Sequence, residues 1–113
     1  MLLATEIKTN DIVTMKLITG DEVIAKVVNV DSLTIVVTKP LTMGIARDPR
    51  NGQPGIQMAP FWMLGADNEQ KFPISKNNIV CMVKASSDAV KGYTAHTSGL
   101  AIPSGSDSSS LLT

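Results

Sequence analysis

From Val13 to Leu17, apolar residues alternate with Thr14 and Lys16, the period-2 pattern of a strand with one wet face. The pattern resumes at Val23. Val23, Ala25 and Val27 share one face, and Ile24, Lys26 and Val28 share the other. Thr19-Gly20-Asp21-Glu22 joins the two runs, and Gly20 can take the positive φ that a tight connection needs. The small Ala25 in mid-strand leaves room for a close crossing or lets the strand bend. A hairpin is the first element the pattern predicts.

A bend at Val30-Asp31-Ser32 leads into a β-branched run over residues 33–41, where Leu33, Ile35 and Val37 alternate with Thr34, Val36 and Thr38. Pro40 is expected to end this ladder or mark it as an edge, because proline cannot donate to a neighbouring strand. Residues 47–55, RDPRNGQPG, form the densest cluster of turn formers, with Asn51-Gly52 its strongest signal. Their flanks, residues 41–46 and 56–64, are expected to pair as an extended hairpin arm, with a bulge or edge position at Pro60. A polar turn follows at residues 65–70. Phe72, Ile74, Ile79, Cys81 and Val83 then mark one closing extended segment. After Lys84 a short helix is expected, capped by Ser86 or Ser87, with Asp88 in its first turn and Ala89, Val90 and Tyr93 on one face. Residues 1–11 read as a short helical or irregular lead-in. Residues 98–113 are a serine-rich tail too polar to order itself, which leaves one domain over residues 1–97.

The spacing Gly20-x-x-Val23-x-Ala25-x-Val27-x-x-x-Asp31 resembles the first motif of the Sm and Sm-like family, and residues 74–82, ISKNNIVCM, resemble its second. The resemblance implies an all-β fold with a minor helix: a small, five-stranded, strongly bent antiparallel barrel of SH3-like or Sm-like type over residues 12–84. It also implies a homo-oligomeric ring, with the fourth strand of one subunit pairing with the fifth of the next. That would place Met58, Phe61, Trp62, Val80 and Met82 at the subunit interface. Single-stranded, uridine-rich RNA is the other partner it implies. Carried onto this chain, the family's base-stacking, edge-reading and arginine positions fall on Leu33, Ile35 and Ser75, with Lys76 at the glycine position and Asp31 retained. Leucine offers no π-face, isoleucine no hydrogen bond and serine no cation, so the inherited uridine pocket is expected to be degenerate.

Composition adds constraints. Ten basic residues balance ten acidic ones, which argues against a broad positive surface for nucleic acid. A local route to RNA is left: Arg47 and Arg50 in the long loop for phosphates, and Trp62 for stacking. Cys81, the single cysteine, excludes an intrachain disulfide and is expected as a small core thiol. His96, the single histidine, reads as a surface residue. Asp67-Asn68-Glu69 lacks the ligand spacing of a calcium loop and reads as a solvated turn. No cofactor, metal or catalytic residue is expected, nor a membrane span, and the default location is the cytoplasm. The function expected is a non-enzymatic, ring-forming module that is RNA-associated or a scaffold. The alternative is a structural oligomer that does not bind RNA.

Overall fold

The computed structural model describes residues 2–3, 6–61 and 70–98 of the 113-residue chain. Its elements are β1 (Leu2–Leu3), β2 (Ile12–Leu17), β3 (Glu22–Val30), β4 (Thr34–Arg47), β5 (Pro54–Pro60), β6 (Lys71–Ser75), a 3₁₀ turn (Lys76–Asn78), β7 (Ile79–Lys84) and α1 (Ser87–Thr97). The strands form one sheet in the order β1-β7-β2-β3-β4-β5, and β6 also pairs with β4. Every pairing is antiparallel except that of β1 with β7. Val13 and Met15 of β2, Val23, Ala25 and Val27 of β3, Ile35 and Val37 of β4, and Ile79 and Met82 of β7 meet in one buried cluster, with Phe72 and Ile74 of β6 against it. Inner faces of five strands can share a core only if the sheet rolls around it. The fold is all-β with one helix, a strongly bent barrel.

Hairpin β2–β3 runs as its pattern requires. Met15 faces Val23 and Lys16 faces Glu22 across the ladder. Gly20 has φ +96°, and its amide donates to the Leu17 carbonyl at 2.9 Å, so the glycine is there for its backbone conformation.

β4 is the element around which the rest is arranged. Its fourteen residues pair with β3 along one edge, while on the other Thr34–Thr38 pairs with β6 and Leu41–Arg47 with β5. The expected hairpin arm is present, in the register Leu41 to Pro60 through Arg47 to Pro54. Pro40 does not end the strand. Between the pairs Ile24–Leu41 and Lys26–Thr38, β4 has two intervening residues, Lys39 and Pro40, against the single Ala25 of β3. Lys39 sits at φ +51° in this bulge. One extra residue inverts the in–out phase of a strand. Ile35 and Val37 therefore face the barrel core, whereas Leu41 lies in a second cluster with Ile24, Ala89 and Tyr93. A second bulge, at Val28 of β3, brings Val30 back onto the core side.

Helix α1 covers this second face. The Ser86 hydroxyl accepts from the Ala89 amide at 3.2 Å, and Asp88 sits in the first turn, as expected. Ala89 and Tyr93 are buried against Ile24 and Leu41, with Met43 and Met58 flanking them. No helix among the described residues is long and apolar enough to cross a membrane.

Three further expectations are corrected. The closing segment is two strands, because the 3₁₀ turn redirects the chain: β6 pairs with β4 and β7 with β2. The lead-in contributes a short strand at Leu2–Leu3 that neither expected form included, while residues 6–11 are irregular rather than helical. Cys81 is exposed, because β7 presents Val80, Cys81 and Val83 outward and only Ile79 and Met82 inward. The turn at residues 65–69, the end of the arm beyond Phe61, and the tail beyond Ser98 lie outside the described residues.

Candidate functional site

The two family motifs meet at one end of the barrel. Asp31 opens the β3–β4 connection as an Asx turn, its Oδ1 accepting from the amides of Leu33 (3.1 Å) and Thr34 (2.9 Å) and from the Thr34 hydroxyl (3.0 Å). These bonds, led by the Thr34 amide, hold the carboxyl below its usual range. Across the ladder Thr34 faces Ser75, and the Lys76 amide donates to the Leu33 carbonyl at 2.9 Å. Lys76 adds a small favourable charge interaction with Asp31. The structure thus gathers Asp31, Leu33, Ser75 and Lys76.

The chemistry of Asp31, Leu33 and Ser75 is already committed or absent. Asp31 is engaged by its own turn. Leu33 projects an aliphatic side chain that is 73% exposed. The Ser75 hydroxyl accepts from the Asn77 amide at 3.3 Å and caps the 3₁₀ turn. Ile35 is a correction. It is buried in the barrel core beside Val37 and so lines no surface pocket, whereas Leu33 stands in the bend before β4 begins at Thr34, where the strand's alternation does not yet apply. The residue that does accompany Asp31 is Thr34, which sequence reasoning misses and whose amide and hydroxyl both donate to Asp31; the signal available was the Asp-Ser pair at the bend, where an aspartate bonds the backbone just ahead of it. An adjoining groove of about 530 Å³, lined by Leu17, Ile18, Phe61, Phe72, Ile74 and Ser75 among others, has no ionisable side chain on its walls among the described residues.

Arg47 and Arg50 stand at the other end of β4, on the tip of the arm. The Arg47 guanidinium donates to the Gly52 carbonyl at 2.7 Å. Arg50 forms a two-pronged pair with Asp48, Nε to Oδ1 at 3.3 Å and a terminal nitrogen to Oδ2 at 3.1 Å. That pairing is the main cause of the lowered Asp48 pKa. Both arginines therefore brace the turn, and the structure does not bring them to the motif end. Trp62 lies outside the described residues.

The residues expected at a subunit interface divide. Val80 is 56% exposed on β7. Met82 is a correction: it is fully buried in the barrel core of its own chain. Met58 packs beneath α1, and Phe61 packs partly against the barrel core, so each is largely spent within the monomer. Exposed apolar surface appears instead at a pair not singled out from sequence, Ile45 (82%) and Ile56 (66%), which face each other across the arm.

Among the described residues, no group of three or more His, Cys, Asp and Glu side chains is placed to hold a metal ion. The His96 ring lies 2.9 Å from the Gly92 carbonyl one turn earlier on α1.

No curated protein matches the chain. A family model described as the Sm_like domain matches residues 7–94, more than three-quarters of the sequence and nearly every described element, including both motif segments; the chain belongs to the Sm-like family.

Proposed function

We propose that this chain is a non-catalytic Sm-like module that assembles with copies of itself into a closed ring, acting as a scaffold rather than a reader of uridine-rich RNA. The observation that carries the reading is a pair of open strand edges. β5 pairs with β4 on one side and with no strand among the described residues on the other. On the outer side of β7, away from β2, only Cys81 and Met82 are paired among the described residues. Long open edges present unpaired amides and carbonyls, and natural proteins either blunt them or use them. Because the two edges belong to different strands, joining them is head to tail, and head-to-tail contacts close into rings when the rotation permits. An exposed thiol at Cys81 suits a reducing compartment, the cytoplasm.

Against the RNA-binding alternative stand the motif-end residues. Asp31 and Ser75 are engaged in turns, Leu33 cannot stack, Ile35 is buried, and Arg47 and Arg50 are tied to their own loop. Light scattering at micromolar concentration tests the assembly, and a monomer there defeats it. Fluorescence anisotropy with labelled oligo-uridine and oligo-adenine tests the second half. The expectation is no preference between them and at most weak, salt-sensitive binding, at ~10⁻⁴–10⁻⁶ M. Tight, uridine-selective binding that survives replacement of Arg47 and Arg50 by alanine would return the RNA reading to first place.

A further inference from the structure

β1 occupies the edge that a neighbouring molecule would need. Leu2 pairs in parallel with Cys81 and Leu3 with Met82, on the side of β7 that does not face β2. We propose that this segment is a self-blocking strap, which competes within the monomer against β5 of a second copy for the outer edge of β7. The inference rests on the edge-to-edge association put forward above and adds its regulation.

Ladder lengths make the competition workable. β1 is two residues long and pairs in parallel, the weaker pairing geometry. β5 has seven residues and β7 six, so an incoming strand can form a longer ladder than the strap it replaces. The strap also leaves footholds. Ile79, Val80, Val83 and Lys84 have no partner in β1, and Val80 and Val83 are exposed. A neighbour can begin pairing on either side of Cys81–Met82 and displace β1 as the ladder extends.

What favours the strap is covalent attachment. Being part of the same chain, it competes at the high effective concentration of a tethered ligand, whereas a second copy competes at its actual concentration. Dilute molecules keep their β7 edges covered, and concentrated ones exchange the strap for a neighbour. The device thus sets a concentration threshold for assembly and protects the edge below it.

The test compares three full-fold proteins by sedimentation velocity over a concentration series: the parent, a variant lacking residues 1–5, and a full-length variant carrying Leu2→Pro and Leu3→Pro. Proline has no amide to donate to a ladder, so the double variant removes the pairing without shortening the chain. If the strap covers the edge about nine-tenths of the time, both variants should associate at about tenfold lower concentration than the parent. An unchanged midpoint in both variants overturns the strap while leaving edge-to-edge assembly standing. A raised midpoint also overturns it, since the segment would then be part of the interface. Absence of association in all three proteins removes the assembly itself, and the strap with it.

Discussion

The Tyr93 phenol donates to the backbone carbonyl of Lys39, 2.9 Å away, with the Thr38 carbonyl at 3.2 Å. This contact joins the C-terminal helix to the bulge in β4. A bulge interrupts its ladder and leaves backbone groups in need of partners, and a buried carbonyl without one is costly. Tyr93 supplies the partner while its ring packs against Ile24 and Leu41. Tyr93→Phe keeps the ring and removes the donor. It should cost about 1–2 kcal/mol in chemical denaturation, with the barrel otherwise unchanged.

The same burial pushes the Tyr93 pKa up to about 12 from the ordinary phenol value of 10.0. A folded-state value above the unfolded one means that Tyr93 contributes its stabilisation fully below pH 10.0 and loses it as pH rises toward 12. Tyr93 is the only tyrosine, so phenolate absorbance follows it directly. The titration midpoint should lie near 12 in the native protein and near 10 in denaturant. Coincident midpoints would show that the ring is not buried as described.

Gly20→Val tests the hairpin turn. Nothing lies within 4 Å of where a Cβ would stand, so space is not the difficulty. The cost comes from φ +96°, which a β-branched residue adopts only under strain. A loss of about 1–3 kcal/mol is expected, and a thermal melt matching the parent would mean the turn can relax to another form.

How legible this fold was in its sequence depended on phase. The β2–β3 hairpin follows uninterrupted alternation up to Ile24, and its turn glycine is where the pattern puts it. The helix cap at Ser86 was equally readable, because capping is a local transaction between a hydroxyl and an amide three residues on. Alternation failed where bulges reset it. Leu41 has the same parity as Ile35 and Val37, yet one extra residue at Lys39–Pro40 turns it to the opposite face. No propensity marks that residue beforehand, and proline there reads as a stop. Alternation misplaces Met82 for a related reason: on β7 the buried residues are three apart, Ile79 and Met82, so strict alternation from either one puts the other on the wrong face. At the motif end, the loss of the stacking and edge-reading groups could be read directly from residue types. That Asp31 and Ser75 would be engaged in local turns required the backbone.

Asp31 offers an acid-side test. Its carboxyl is held below the ordinary aspartate value of 3.8, chiefly by the Thr34 and Leu33 amides. A depressed folded-state value gives stabilisation that is present above about pH 4 and lost as the pH falls through that lower value. Asp31→Ala should therefore lower stability at neutral pH and flatten its decline toward acid, measured by urea denaturation across the acid range. The variant should bind oligo-uridine no differently from the parent. A variant with parental stability and altered RNA affinity would assign Asp31 to a binding site rather than to its turn.

Val80 and Met82 differ by two positions and separate assembly from folding. Val80 stands on the exposed face of β7, and Met82 is buried in the core. Met82→Lys places an ammonium among apolar side chains with no countercharge, a penalty on the order of 3–5 kcal/mol. That is a large fraction of the stability of a domain this size, so the variant should report on folding and not on association. Val80→Lys puts the charge in water, where it should change monomer stability by no more than about 0.5 kcal/mol. On a strand that pairs with a neighbour, however, a ring of identical lysines opposes closure, as edge lysines do in natural sheets. Val80→Lys should therefore retain the parental melting temperature of the monomer while size-exclusion chromatography with light scattering shows smaller species. If Val80→Lys assembles like the parent, the interface lies elsewhere, and the exposed pair Ile45 and Ile56 on the arm becomes the next place to put the lysine.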